Sequence, residues 1–323
     1  MSETISNNAQ TRPFRLAHLS DPHLAYTHNV YLHQIMNKRI LGYIRWKLGR
    51  QSRQDSTIAD LMVKDIKDLR ADHTVITGDI THLGLPREFI HVKKWLRRLN
   101  SCSRISIVPG NHDIYVKEPW SRSFENWTEF FHPAPQTGKK PHRSLTDVFP
   151  TLEITGSIAL IGLSSAVPTA PHLATGYIGT EQLSRLEAIL KQLQGQRIFR
   201  IIFLHHPPVP GIVGQRKCLT DAPDLRDIIA QYGCEMVLHG HAHRCVLSSV
   251  KTPGGIAPVF GSPSATSTGD SLEKRAGWFL HEISTHCPRC KGFVLRSRKR
   301  VFSTTERVFN WSTQKYEKTI YYT

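Results

Sequence analysis

The sequence predicts an α/β protein, because strands and helices alternate along the first third of the chain. A strand at 14–20, in which apolar and polar residues alternate, precedes a helical pattern over 55–70 and a short strand at 73–77. A basic amphipathic helix over 86–99 and a third strand at 104–108 continue the alternation. Strands that alternate with helices in this way are typical of an α/β sheet.

The rest of the chain is predicted to add strands and helices after an irregular segment. Residues 115–150 hold two tryptophans, several prolines and few periodic runs, so we predict a cap or a long loop there. The near-helical spacing of Trp120, Phe124 and Trp127 favours core packing of these rings. The other predicted elements are a hairpin of 152–154 and 158–164, helices between Thr180 and Gly195 and over 224–232, and strands at 200–204, 235–238 and 258–260.

The predicted domains are a disordered polar tail over 1–13, a main domain over 14–285 and a C-terminal extension over 286–323. Residues 277–284 and 292–298 are predicted to pair as a late antiparallel hairpin. Residues 306–322 are interpreted as one or two strands that join either a sheet edge or a neighbouring subunit. The second interpretation would make the protein a homodimer.

Composition restricts the partners and the compartment. The 323 residues carry a formal net charge of +16, and no apolar run approaches the roughly 20 residues of a membrane-spanning helix. The first dozen residues lack the apolar region of a secretory signal, so we expect a cytoplasmic protein. The charge predicts an anionic partner: a phosphorylated substrate, an acidic membrane surface or a nucleic acid. Nucleic acid is not expected, because no recognition helix, zinc finger or RNP-like motif accompanies the charge.

Five polar clusters follow predicted strands at their carboxyl ends, where α/β sheets bind ligands. A single cluster of this kind is weak evidence for a binding site. Five clusters at successive strand ends are not explained by the residue preferences of turns. The clusters are Asp21-Pro-His23, Gly78-Asp79, Gly110-Asn-His-Asp113, His205-His206 and Gly240-His-Ala-His243.

The residue types in these clusters fit a site for two metal ions. Carboxylate and imidazole ligands suit Mn, Fe and Zn, whereas purely oxygen ligands suit Mg or Ca. An aspartate can bridge two cations with its two oxygens. We therefore expect two divalent or trivalent ions, with Mn or Fe favoured and Zn or Mg as alternatives.

Together the motifs resemble the complete set of the calcineurin-like metallophosphoesterases, over about residues 14 to 245. The resemblance implies a four-layer α/β/β/α sandwich with the metal ions at the strand ends. It also implies a ligand scheme. One ion would be bound by Asp21, His23 and His243, the other by Asn111, His205 and His241, and Asp79 would bridge them.

The resemblance further implies that His112 contacts the scissile phosphate and that Asp113 is its partner. Two cations can clamp a phosphate and lower the pKa of a bridging water, and the resulting hydroxide attacks phosphorus in line with the leaving oxygen. A protonated His112 would stabilise the growing charge or protonate the leaving group. His206 is a further candidate for a substrate contact, against the alternative of a loop histidine.

The form of the motifs resembles bacterial members grouped with class III cyclic-nucleotide phosphodiesterases. This resemblance implies a phosphodiester substrate such as cAMP. The alternative outside the enzymes is a non-catalytic protein that keeps the phosphoesterase fold as a scaffold. It is disfavoured because each predicted metal ligand and His112 is present in the sequence.

An insertion over 30–54 favours a second substrate. Between Lys38 and Gln54 it holds six Lys or Arg and no acid, interleaved with apolar residues at helical spacing. Such a helix suits the anionic surface of the inner membrane, whereas a helix packed on the domain is the alternative. The stretch also resembles the insertion of enzymes that cleave the pyrophosphate of UDP-2,3-diacylglucosamine in lipid A synthesis. We take Arg39 and Arg45 as candidate substrate-binding residues.

Overall fold

The computed structural model describes residues 12–24, 30, 35–45, 56–135, 143–269, 275–284 and 302–322. The strands are β1 (Phe14–Leu19), β2 (His73–Ile76), β3 (Arg104–Ile107), β4 (Thr151–Thr155), β5 (Ile158–Gly162), β6 (Phe199–Phe203), β7 (Met236–His239), β8 (Val246–Thr252), β9 (Gly255–Gly261), β10 (Gly277–Ile283), β11 (Phe302–Asn310) and β12 (Lys315–Tyr322). The α-helices are α1 (Arg39–Arg45), α2 (Ser56–Asp68), α3 (Pro86–Asn100), α4 (Leu145–Val148), α5 (Thr180–Leu193) and α6 (Ala222–Tyr232).

Within these ranges the strands form two mixed sheets of six strands each. The first has the order β12-β11-β10-β1-β2-β3, and its β1, β2 and β3 are parallel. The second has the order β4-β5-β6-β7-β9-β8, in which β5, β6, β7 and β9 are parallel. The parallel strands of each sheet therefore end at one edge, as the strand–helix alternation predicts.

The two sheets pack face to face, and helices cover their other faces. Successive side chains of a strand point to opposite sides of its sheet. In β6, Ile201 accordingly belongs to a core cluster shared with Leu16 of the first sheet, whereas Ile202 packs with Leu186 of α5 and Ile229 of α6. The predicted four-layer α/β/β/α sandwich is confirmed.

The segment predicted as a cap or long loop packs against α3. It contains 3₁₀ helices at Trp120–Arg122 and Phe124–Phe130, followed by α4. The Trp127 side chain is fully buried, its ring lies 4.6 Å from that of Phe89, and its Nε1–H donates to the Phe89 carbonyl. Core packing of these aromatic rings is thus confirmed.

The C-terminal strands complete the first sheet. Strand β10 pairs with β1 on one side and with β11 on the other, and residues 292–298, the predicted partner of 277–284, lie outside the described residues. Strand β11 in turn pairs with β12 at the sheet edge. The extension therefore contributes two strands to the sandwich. No helix in the described part of the chain has the length and apolar character needed to cross a bilayer.

Two buried histidines generate a prediction about acid stability. Burial lowers the pKa of His73 and of His281 to about 3, so both rings are neutral in the folded protein. An unfolded histidine titrates near pH 6.5. The stability linked to each ring is therefore present above pH 6.5 and is lost as the pH falls. Between pH 7.5 and 5, the free energy of unfolding should decrease by about 2 kcal/mol per histidine.

Urea unfolding of the wild type and of His281→Gln at both pH values measures this effect. Glutamine keeps a polar side chain of similar size at this position, where Nδ1 of the ring lies 2.7 Å from the Thr304 hydroxyl, but it does not titrate. Between pH 7.5 and 5, the free energy of unfolding of the variant should therefore decrease by about 2 kcal/mol less than that of the wild type. An unchanged pH dependence would show that His281 is not a buried neutral ring.

Candidate metal centre

Five loops at the carboxyl ends of strands meet between the two sheets. Strands β1, β2 and β3 of the first sheet lead into the Asp21, Asp79 and Asn111 loops, whereas β6 and β7 of the second lead into His205 and His241. Because both sheets contribute, the centre requires the sandwich and not only one βαβ unit.

The first group of side chains surrounds one point. The Nε2 atom of His243 lies 3.0 Å from Asp21 Oδ1 and 3.3 Å from Nε2 of His23. His23 Nε2 in turn lies 3.8 Å from Asp21 Oδ1 and 3.8 Å from Asp79 Oδ2. One ligand atom from each of these four residues lies within 4.8 Å of the others, so together they can hold a metal ion.

The second group lies on the other side of Asp79. His205 Nε2 is 3.1 Å from Asn111 Oδ1, 3.1 Å from His241 Nδ1 and 3.5 Å from Asp79 Oδ1. The other ring nitrogen of His205, Nδ1, lies 2.6 Å from the Thr77 carbonyl oxygen and donates to it. This bond leaves Nε2 as the acceptor atom that a metal ion requires.

Asp79 connects the two groups, because its Oδ1 faces His205 and its Oδ2 faces His23. The carboxylate is 1% exposed. Burial, together with the carboxylates of Asp21 and Asp113, raises the pKa of Asp79 well above its usual range. Buried carboxylates require compensating positive charge. Two metal ions between these nitrogen and oxygen atoms would supply it, so the residues fit the expected dinuclear cofactor.

The backbone around the centre adopts conformations that L-residues rarely take. Residues other than glycine seldom have positive φ angles, and those that do cluster at functional sites. Five predicted ligands have φ between 41° and 66°, namely Asp21, His23, Asp79, His241 and His243.

Close backbone approach explains two of the motif glycines. A Cβ atom at Gly110 would collide with the carboxylate and the amide of Asp79, and one at Gly240 would collide with the Ser20 hydroxyl. Only glycine therefore lets these loops approach each other so closely.

His112 lies beside the centre, and the structure corrects its predicted partner. Its Nδ1 is 2.6 Å from the carbonyl oxygen of His82, while its Nε2 lies 4.0 Å from Asp79 Oδ2. The Asp113 carboxylate instead accepts hydrogen bonds from the amides of Thr81 and Gly110, both at 2.8 Å. Asp113 therefore braces two loops, because its carboxylate accepts from an amide of its own turn and from an amide of the Asp79 loop.

The comparisons with known proteins decide the family. The profile of the calcineurin-like phosphoesterases matches residues 14–245. The chain belongs to this family. It is consequently a hydrolase of phosphoric esters.

Two relatives and two solved structures agree with this assignment. The chain is 27% identical over 224 residues to a "Probable cyclic nucleotide phosphodiesterase" of Synechococcus sp., covering 68% of this chain and 74% of that protein. It is 28% identical over 200 residues to the "Glycerophosphodiester phosphodiesterase GpdQ" of Enterobacter lignolyticus, covering 60% and 57%. The fold is shared by a dimetal phosphatase from Danio rerio, with a TM-score of 0.55 and 14% identity over 92% of this chain and 96% of that one. It is also shared by purple acid phosphatase PPD1 from yellow lupin, with a TM-score of 0.58 and 12% identity over 97% of this chain and 54% of that one.

Of the three candidate substrate-binding residues, two contact protein groups and the side chain of the third lies outside the described residues. His206 is fully buried, and its ring nitrogens lie 2.8 Å from the Ser165 hydroxyl and 3.2 Å from the Ala174 carbonyl, so it supports the loops behind the centre. Arg39 is 2% exposed and holds protein groups instead of a substrate. Arg45 ends α1, and its side chain lies outside the described residues.

His82 is a residue that the sequence argument missed. Its ring is buried and lies 5.7 Å from the ring of His112 and 6.0 Å from that of His23. A ligand atom of each of these three histidines lies within 4.8 Å of the others. In the sequence His82 follows Asp79 by three residues, which is the only pattern that could have indicated it. A single histidine outside the five clusters gives no reason to select it.

Arg39 braces the loop that contacts His112. Its Nε donates to the Leu83 carbonyl at 2.8 Å, its Nη2 donates to the Gly84 carbonyl, and its Nη1 pairs with Glu118 at 2.8 Å. The carbonyl that accepts from His112 belongs to the preceding residue, His82. A helix of the insertion thus contacts the catalytic loop through a buried guanidinium.

Replacing Arg39 with Ala should reduce kcat for bis-p-nitrophenyl phosphate by about 10- to 100-fold, because residues that orient a site residue typically have effects of this size. The fork of bonds to two carbonyls and a carboxylate is specific to a guanidinium, so Arg39→Lys should restore little activity. The matched control is Arg97→Ala, which removes an exposed guanidinium from α3 and should leave kcat unchanged.

A double-mutant cycle separates positioning from general destabilisation. If Arg39 acts through His112, Arg39→Ala should cost little additional activity in a His112→Ala background. Equal losses in both backgrounds would contradict the positioning role. Thermal unfolding of each variant verifies that the proteins compared are folded.

Proposed function

We propose that the protein is a dinuclear metal-dependent phosphodiesterase that acts on cyclic nucleotides or similar diesters. The observation that carries the proposal is the Asp79 carboxylate, whose two oxygens face two separate ligand groups. The names of the two relatives support a diester, since both are described as phosphodiesterases.

The chain's own residues are arranged for in-line hydrolysis. Bound metal ions would supply a water of lowered pKa and positive charge beside the phosphoryl oxygens. The bond from Nδ1 to the His82 carbonyl fixes the His112 ring, so that Nε2 points to the Asp79 side of the centre. A protonated Nε2 would donate its proton to the leaving oxygen as the ester bond to phosphorus breaks. The oxygen of water replaces that ester oxygen, and no covalent enzyme intermediate is needed.

Removing the bridging charge tests this function. In Asp79→Asn, a neutral amide replaces a carboxylate that should balance both ions. We expect metal content after Mn(II) loading to fall below two ions per chain. We also expect kcat/KM for bis-p-nitrophenyl phosphate to fall by more than about 100-fold, since losses of that size follow even from changes in residues that only support the ligands.

The control is Asp68→Asn, which makes the same change at an exposed carboxylate on α2 and should have no effect. Wild-type turnover by Asp79→Asn would contradict the proposal. A wild-type protein that holds two Mn ions and hydrolyses neither this ester nor cAMP would support the scaffold alternative.

A lipid-linked pyrophosphate is the second candidate substrate, and the exposed face of α1 favours it. Met36, Ile40 and Ile44 recur every four residues and are 76%, 42% and 45% exposed. Two cations of the same segment contact protein groups: Lys38 Nζ donates to the carbonyls of Thr169 and Leu173, and Arg39 is buried. The helix therefore presents an apolar stripe to solvent, which suits acyl chains better than headgroups.

Replacing Ile40 and Ile44 with Ser should weaken binding to phosphatidylglycerol vesicles and lower turnover of UDP-2,3-diacylglucosamine, while hydrolysis of bis-p-nitrophenyl phosphate stays unchanged. The matched control is Ile256→Ser, at a site on β9 that is 61% exposed. Vesicle sedimentation and coupled turnover assays measure the two effects. Equal vesicle binding and lipid turnover by the wild type and the double variant would remove this candidate.

A further inference from the structure

A shallow, largely open depression lies beside the metal centre, and we refer to it below as the cavity. Residues 213–217 line one side of it, and His241 and Ala242 line another. Since His241 is also a predicted metal ligand, a substrate whose phosphate reaches the centre would extend one of its ester groups into this cavity.

The wall over 213–217 is held in place by hydrogen bonds on both sides. The carbonyl of Arg216 accepts from the amide of Ala174 at 2.9 Å, and the carbonyl of Cys218 accepts from the amide of Gly176 at 2.9 Å. On the other side, Arg244 Nη2 donates to the Ile212 carbonyl at 3.1 Å. A site whose residues are already ordered binds its ligand more tightly, because less conformational entropy is lost on binding.

Two cations of this wall have no anionic partner within the described ranges. Arg216 and Lys217 are both exposed, and neither makes an ion pair or a side-chain hydrogen bond with another described residue. The lining contains no Asp or Glu. A guanidinium and an ammonium at the edge of a concave site attract anions, and the guanidinium can bind a phosphate or carboxylate through two bonds.

We propose that this cavity binds a second anionic group, a phosphate or a carboxylate, carried by one of the ester groups of the substrate. The proposal rests on the phosphodiesterase function and adds a preference for diesters that carry a second anionic group, which 3′,5′-cyclic nucleotides such as cAMP lack. Arg216 and Lys217 act as specificity residues, because they contact the part of the substrate that does not react. Diesters whose two ester groups are both uncharged do not use the site.

Two chromogenic esters that differ by one phosphate test the subsite. They are the p-nitrophenyl ester of thymidine 5′-phosphate and the same ester carrying a 3′-phosphate. The Mn-loaded wild type should hydrolyse the 3′-phosphorylated ester with about tenfold higher kcat/KM, as two charge-assisted hydrogen bonds allow. The variant with both Arg216→Ala and Lys217→Ala should lose this preference while its turnover of bis-p-nitrophenyl phosphate stays unchanged. The control is Lys191→Ala on α5, which also removes an exposed cation and should keep the preference.

A binding measurement separates this proposal from the phosphodiesterase function. Calorimetry should give tighter binding of thymidine 3′,5′-bisphosphate than of thymidine 5′-phosphate to the wild type, and equal binding to the double variant. If no ester is hydrolysed but this binding difference is found, the proposed function fails and the subsite stands. Equal binding of the two nucleotides by the wild type, or a preference that survives in the double variant, overturns the subsite.

Discussion

The arrangement of the molecule depends on one buried carboxylate that is shared by two groups of side chains. Asp79 is 1% exposed, and Asp21 lies fully buried beside the same point. Two buried carboxylates are costly unless cations compensate them. The surrounding imidazoles provide nitrogen ligands for such cations, with His23 on one side and His205 on the other. The left-handed backbone of the ligand loops is consistent with this requirement, because strained conformations persist where other interactions compensate them.

The two-sheet architecture explains why the centre is well defined. The first sheet supplies the aspartates and Asn111, and the second supplies His205 and His241. The sheets share an apolar core, so the distance between the two sets of loops follows from side-chain packing. The hydrogen bond from His205 to the Thr77 carbonyl joins a ligand of one sheet directly to the backbone of the other. Substitutions in the core between the sheets would therefore disturb the metal centre from a distance.

The sequence predicts the elements and the ligand residues better than it predicts side-chain partners. Polar residues at the ends of β1, β2, β6 and β7 identify the centre, because parallel strands bring their carboxyl ends to one edge. Periodicity shows that the insertion contains a helix, but it does not show which face meets the protein. Arg39 is therefore buried where an exposed cation was expected, and Ile40 is exposed. His112 contacts a backbone carbonyl. Every residue has such a carbonyl, so the sequence does not show which one is the partner.

The most direct test of the shared carboxylate is anomalous diffraction from crystals of the full chain grown with Mn(II). If Asp79 bridges two ions, two manganese peaks should lie about 3.5–4 Å apart, the separation of typical two-metal sites. One oxygen of Asp79 should lie against each peak, with His23 and His243 beside the first and His205 and His241 beside the second. A single peak, or two peaks of which only one contacts Asp79, would contradict a carboxylate shared by two ions.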